Sequence, residues 1–215
     1  MFEYRGMFMT AISYEIEPTE FVAKPYVVFD MKKERPDIYC RPAQKVSFPL
    51  SKVDIKDIQA LEQQFDYEDN CAGLAAPQIG ISKKVIVFAT PDDPKTKKFR
   101  PDFIQEMSKK LWINPECVGV EEEGFREDYE GCFSIPEMAG MVNRYNTIHY
   151  RAYDIDEKLV EGIAKGFLAR IIQHEIDHLH GILYIDRITD PRKIIPIEEY
   201  RALRKAAMES AQKAE

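Results

Sequence analysis

The sequence predicts an α+β fold, and two observations carry the prediction. Short apolar runs rich in β-branched and aromatic residues recur at 85–88, 111–113, 146–153 and 182–185. They flank one helical segment, between the last two runs, that contains His174-Glu175-x-x-His178. Strands gathered on either side of a motif-bearing helix fit an α+β layer arrangement.

The chain has 215 residues, 45% hydrophobic and 31% charged, which suits one globular domain with appendages. That length buries a sizeable core without disulfides. A net charge of −7 argues against nucleic acid as the main ligand, since phosphate binding needs a concentrated basic surface. No apolar run approaches the ~18 residues of a membrane span, so no membrane role is expected. The first residues, Met1 to Met7, lack the basic and apolar regions of a signal peptide. Cys40, Cys71, Cys117 and Cys132 form no CxxC pair, so free thiols and a reducing, cytoplasmic compartment are expected.

Residues 1–40 alternate aromatic and acidic positions with little helical period and read as an N-terminal arm. Ile55, Ile58, Leu61 and Phe65 recur at helical spacing, which predicts a helix from Asp54, taken as N-cap, to about Tyr67. The Gly/Ala/Pro-rich stretch Cys71 to Gly80 cannot be an ordinary helix or central strand. Val85-Ile86-Val87-Phe88 reads as a buried strand. The Pro- and Lys-rich residues 90–110 read as an exposed insertion ending in a short helix. Leu111-Trp112-Ile113 is a strand running into a turn at Asn114-Pro115. Asn146 to Tyr153 alternates as a strand and ends at an Asp154-Ile155-Asp156 turn. The motif helix begins near Gly166 and stops before Gly181, a suitable C′ residue. Ile182-Leu183-Tyr184-Ile185 reads as a further strand. Residues 191–215 form a helical tail, with strong helix formers from Ile197 to Ala211. The frame is thus an arm (1–40), a catalytic domain (41–190) and a tail (191–215).

Four residues advance a helix by about 400°, so His174 and His178 stand one above the other on a single face. Both imidazoles can reach one divalent metal, with Glu175 beside it as a general base. A catalytic metal usually takes three protein ligands, so a third donor is needed. Continuation of the motif to a third histidine fails, because Tyr184 occupies that position. Glu198 and Glu199 stand at the distance of a downstream glutamate ligand, within a charged segment that also reads as a solvated face. Cys132 is the third source, in Tyr129-Glu130-Gly131-Cys132-Phe133-Ser134-Ile135-Pro136.

Three segments taken together resemble the peptide deformylase family. Gly73-Leu74-Ala75-Ala76-Pro77-Gln78-Ile79-Gly80 is similar to its first motif, and Glu130-Gly131-Cys132-x-Ser134 to its second. Gln173-His174-Glu175-x-Asp177-His178-Leu179-x-Gly181 is similar to its third. The resemblance spans roughly residues 40–190 and departs at Cys71, where the family usually has glycine, and at Phe133, where it has leucine. It implies antiparallel β-sheets packed around a central helix that carries HExxH. It also implies removal of the formyl group from N-formylmethionyl nascent peptides, with release of formate.

In that reading Cys132, His174 and His178 hold the metal, and Glu175 moves the proton from water to the leaving amine. The side-chain amide of Gln78 and the backbone N–H of Phe133 donate to the tetrahedral oxyanion. The resemblance favours Fe2+, with Zn2+ or another divalent metal as substitute. Helix phase points Phe167 and Ile171 toward the same cleft, where with Leu74 they form an apolar pocket for methionine. Gly73 and Gly131 allow close approach of the substrate backbone. Asp177 faces away from the histidines, which suits a cap or salt-bridge role, and Glu130 orients the Cys132 loop. Arg170 rims the pocket or is solvated, and His180 is no ligand. A transient ribosome contact through Arg192, Lys193, Arg201, Arg204 and Lys205 is the remaining partner expectation, with no direct nucleic-acid role. The competing readings are an HExxH endopeptidase ligated by Glu198 and a metal-binding protein without activity.

Overall fold

A computed structural model of the chain describes residues 22–69, 71–90, 97 and 100–213. Residues 1–21 of the expected arm, and 91–96 and 98–99 of the Pro/Lys-rich stretch, lie outside the described residues. Helix α1 (Lys52–Tyr67) leads into strand β1 (Gly73–Ala75), a 3-10 turn (Ala76–Ile79) and β2 (Val85–Thr90). Strands β3 (Met107–Gly119), β4 (Phe125–Cys132), β5 (Ile135–Tyr145), β6 (Thr147–Tyr153) and β7 (Leu159–Lys165) follow. Helix α2 (Gly166–Leu179), β8 (Ile194–Pro196) and α3 (Ile197–Lys213) complete the chain. The strands form a five-stranded sheet in the order β1-β2-β3-β6-β7 and a three-stranded sheet β4-β5-β8. Every strand pair in them is antiparallel.

Strand alternation decides which helix each side chain meets. On the five-stranded sheet, Ala75, Ile86, Phe88 and Trp112 face α2, where they pack with Leu168, Ile172 and Leu179. Leu74, Val85, Val87 and Ile113 face the other way and pack with Ile58, Leu61 and Phe65 of α1. A third cluster joins Ile135 and Val142 of β5 to Tyr39, Leu183 and Tyr184. Helix α2 therefore lies at the centre, and all twelve residues from Leu168 to Leu179 are buried. A helix buried all round must find partners for its polar groups.

Glycines set both ends of α2. Gly166 has φ 57°, and a Cβ there would meet the Asp102 carbonyl oxygen at 2.1 Å. Gly181 has φ 73° beyond the last turn, which follows the expected C′ glycine.

Several boundaries differ from the sequence reading. The N-cap of α1 is Ser51, whose side chain accepts from the Asp54 N–H while Asp54 caps the Ser51 N–H. Asp54 is the third residue of a capping box, a Ser-x-x-Asp signal that precedes the apolar run. The described part of 90–110 does not end in a helix: Met107 onward belongs to β3, and Arg100 and Asp102 are buried. Asn114 (φ 50°) does not end β3 but makes an irregularity within it, between Ile113 and Glu116. Ile182–Ile185 is not a strand, because a 3-10 turn begins at Tyr184 (Tyr184–Arg187) and the Asp186 carboxylate accepts from the Leu183 N–H. The expected arm is fixed from Val27 onward, with Val27 N–H donating to Gln78 O and Phe29 N–H to Ser134 O. The tail adds β8 to the second sheet before α3 begins.

Candidate metal centre

Helix period and one tight turn bring three ligand atoms together. His174 and His178 are one helical turn apart in α2, and their Nε2 atoms lie 3.1 Å from each other. Cys132 ends β4 at the turn into β5, and its Sγ lies 3.3 Å from His178 Nε2. The donor atoms of Cys132, His174 and His178 all fall within 4.8 Å of one another, the one such cluster among the described residues. Donors around one tetrahedral ion, at bond lengths of ~2.0–2.3 Å, are separated by about 3.3–3.6 Å. A thiol and two imidazoles converging at nearly that spacing fit a divalent metal.

Each ligand is held from behind. His174 Nδ1 donates to Glu130 Oε2 at 2.8 Å, which leaves Nε2 facing Cys132. Glu130 is buried and also receives Arg144 Nε and Nη2 at 2.9 and 2.8 Å, and Arg170 Nη1 at 2.7 Å. Burial alone would raise its carboxyl, but Arg144 and His174 outweigh burial and hold it well below the usual carboxylate range. Arg144 spans to Asp177, which also accepts from Arg187. Asp177 thus takes the expected salt-bridge role. Of the two expected alternatives for Arg170 the solvated one is excluded: Arg170 lines the cleft but is 4% exposed, and it bridges Glu130 to the Val142 carbonyl.

On the cysteine side, the Ser134 N–H donates to Cys132 Sγ at 3.4 Å. The Tyr39 hydroxyl, 2.6 Å from Ser134 Oγ, ties this turn to Val27 O. Burial opposes charge on His174, but Cys132 and Glu130 hold a proton on the ring that a metal ion would displace. Burial and the neighbouring His174 keep His178 neutral.

Glu175 points into the same cleft, 4% exposed, and its Oε2 has no hydrogen-bond partner. Burial pushes its carboxyl up to about 7; a cation beside it would draw it back down. Gln78 is 2% exposed, and its Oε1 accepts from the Ala75 N–H at 2.8 Å. That bond fixes the amide so that Nε2 faces Cys132 Sγ at 3.3 Å with a second N–H to offer. Phe133 sits in the turn after Cys132, and its ring stacks on Tyr26 at 4.7 Å.

The cleft at this centre measures about 630 Å³, and Gly73, Gly131, Phe167 and Ile171 all line it. Leu74 does not: it is fully buried on the α1 side of the sheet, one residue out of phase with Gly73 and Ala75. That part of the expected methionine pocket is corrected. Cys71 lines the cleft as well, and its Sγ donates to the Gly73 carbonyl at 3.2 Å. Glu198 is not at the histidines; it pairs with Arg201 on α3, and its side chain is 74% exposed. Tyr184 is buried with its ring 6.4 Å from that of His174. His180 faces outward to Lys84.

The sequence reading missed Arg144, Tyr39, Arg100 and Tyr26. Arg144 had a usable signal, a charged residue within the alternating apolar positions of β5.

An HExxH helix buried between two antiparallel sheets, completed by a cysteine, defines a metallohydrolase of α+β fold. A family model described as polypeptide deformylase matches residues 32–193. The chain is 52% identical over 169 residues to peptide deformylase 2 of Rickettsia conorii, covering 78% of this chain and 82% of that one. It is 40% identical over 153 residues to peptide deformylase 1 of Nitrosomonas europaea, covering 67% and 82%. A crystal structure of the Acinetobacter baumannii class I type b peptide deformylase with Met-Ala-Ser bound superposes with a TM-score of 0.66. Identity there is 33%, covering 79% of this chain and 100% of that one. The chain belongs to the polypeptide deformylase family, metal-dependent hydrolases that remove the N-formyl group from nascent peptides.

Proposed function

We propose that deformylation runs through Cys132, His174 and His178 as metal ligands, Glu175 as the proton carrier, and Gln78 and Phe133 as oxyanion donors. The observation that carries this reading is the convergence of the three donor atoms beside a carboxylate with an unpartnered oxygen. A divalent ion held there supplies Lewis-acid activation of water and of the formyl carbonyl. Glu175 takes a proton from water and delivers it to the nitrogen of the leaving amine, so one buried group serves both steps. The free N–H of Gln78 and the backbone N–H of Phe133 donate to the oxygen that becomes negative as the formyl carbon turns tetrahedral. Iron(II) is the metal this reading favours, with zinc as substitute; a thiolate with two imidazoles accepts either.

Strands β1 and β4 each have a single neighbour in their sheets, and Gly73 and Gly131 carry their free edges into the cleft. An extended peptide laid between these edges carries its methionine side chain toward Phe167 and Ile171. Free thiols at all four cysteines suit the reducing conditions of the cytoplasm. A transient ribosome contact through the tail is a lesser part of the reading. Arg192, Lys193 and Arg201 already carry Asp190, Glu127 and Glu198 as partners, which engages three of the five cations.

The test is formate release from a formyl-Met tripeptide by protein loaded with iron under anaerobic conditions. Turnover well above buffer is expected, and turnover equal to buffer would overturn the assignment. In the same preparation Cys132→Ala loses its metal while Glu198→Ala retains it. The reverse pattern would favour a glutamate-ligated endopeptidase.

A further inference from the structure

The cleft does not end at the metal centre. Beyond Gly131 it continues along β4 to Tyr129 and is walled there by Tyr200, Arg201 and Arg204 of α3. Helix α3 is seated on this end by two contacts. Ile197 Cδ1 lies 3.7 Å from where a Cβ on Gly131 would stand, and the Tyr129 and Tyr200 rings are 5.5 Å apart. The two inner carboxylates, Glu130 and Glu175, are buried, and Glu130 is already committed to Arg144 and Arg170. The outer end is therefore cationic and aromatic.

The two arginines differ in what holds them. Arg204 lies over the Tyr200 ring at 6.0 Å and has no carboxylate partner among the described residues. Arg201 is paired with Glu198, but that pair is open to water, with side chains 66% and 74% exposed. An exposed pair of this kind exchanges partners at little cost. Glu198 is the one acidic side chain bonded to either arginine among the described residues. A guanidinium exposed at the end of a cleft is a site for a carboxylate.

We infer that Arg201 and Arg204 form a subsite that selects nascent chains carrying an acidic side chain two to three residues after the formylmethionine. The inference rests on the deformylase reading of the cleft. Its register follows from strand geometry, because a peptide extended beside β4 advances one residue for each residue of β4. Tyr129 is three residues, roughly 10 Å, from Cys132 along that strand.

The experiment uses the iron-loaded enzyme and two series of amidated peptides, formyl-Met-Ala-Xaa-Ala and formyl-Met-Ala-Ala-Xaa, with Glu, Gln or Lys at Xaa. Formyl-Met-Ala-Ala with a free carboxylate, compared with its amide, separates a terminal carboxylate from a side chain. In one series or the other, Glu is expected to exceed Gln by about three- to fivefold in kcat/KM. That is the size of one exposed ion pair. The gain lies in KM, and Lys falls below Gln. High salt shrinks the ratio, as expected of a screened pair. In the double variant Arg201→Gln/Arg204→Gln the Glu/Gln ratio falls to about one, and Arg204→Glu moves Lys above Glu. A ratio of one in the wild type, a ratio that survives both variants, or a preference confined to free-acid peptides would each overturn the subsite. Failure to release formate from any peptide would instead overturn the deformylase reading beneath it.

Discussion

A β-carbon on Gly73 would stand 2.5 Å from Glu175 Oε1 and 2.8 Å from its Cδ, so β1 meets the Glu175 carboxylate with bare backbone. Real Cβ atoms do not approach that closely, so a side chain at 73 would have to push the Glu175 carboxylate from its place in the cleft. Glycine at 73 therefore has a local cause in this chain: it lets β1 and Glu175 share the cleft wall.

Gly73→Ala should displace Glu175 and lower kcat by about 100-fold, the usual contribution of a positioned base. The atoms nearest a Cβ at Gly73 all belong to Glu175, so metal content measured by elemental analysis should be unchanged. Loss of metal together with activity would show that the strand supports the ligands instead.

Glu130 bears the charge of two buried arginines as well as the His174 N–H. Glu130→Gln leaves Arg144 and Arg170 without their full counter-charge, and stability measured by urea unfolding should fall by about 3 kcal/mol. Metal affinity should fall 10- to 100-fold, roughly the cost of losing a carboxylate behind a ligating histidine. Unchanged affinity in a competition titration with a chelator would remove Glu130 from the support of the site.

Gln78→Ala removes an amide whose direction is set by the Ala75 N–H. Formate release should slow by about 100-fold in kcat with metal retained. A change confined to KM would make Gln78 a binding group rather than an oxyanion donor.

Phe167 and Leu74 separate pocket from core. Phe167 lines the cleft with the Arg100 guanidinium 4.2 Å over its ring, so Phe167→Ala should lower the rate ratio of formyl-Met to formyl-Ala peptides. Leu74→Ala should leave that ratio alone and cost about 2–5 kcal/mol of stability, as a cavity beneath α1. An unchanged ratio in Phe167→Ala would take Phe167 out of the pocket.

Asp54 sets an acid limb of stability. Lys83 Nζ, 2.6 Å away, and Ser51 lower its carboxyl from 3.8 to about 2. A depressed folded pKa stabilises above the unfolded value and is lost as pH falls from about 3.8 through about 2. Asp54→Asn should therefore be less stable than wild type at neutral pH, by under about 1 kcal/mol given solvent screening. In thermal melts the gap should narrow below about pH 3.8 and close below about pH 2. A gap that stays constant with pH would mean the cap, not the charge, is what is lost.

Periodicity made the centre of the fold readable. The i, i+4 spacing of His174 and His178 follows from helix geometry alone, and the glycines at 166 and 181 bound the helix where left-handed backbone is needed. Cys132 was readable through its motif. Contacts between distant strands were not. Arg144 reaches Glu130 and Asp177 across 14 and 33 residues; its place in β5 marks it as unusual but does not name either partner. Leu74 went wrong for a related reason: a stretch of glycines and alanines carries too little polarity contrast to reveal strand phase. Ile182–Ile185 shows the ambiguity of a short apolar run, which Gly181 and Asp186 fold into a 3-10 turn.

With the nascent peptide bound as proposed, the free edges of β1 and β4, one on each wall of the cleft, would set a clock on deformylation. Only backbone that has not yet found its own hydrogen bonds can enter between them. A client whose first residues have wound into a helix or joined a sheet has nothing left to offer either edge. The reaction window for each protein thus opens when its start is long enough to enter the slot and shuts when that start folds. Fast-folding N-termini would be the ones that keep their formyl group.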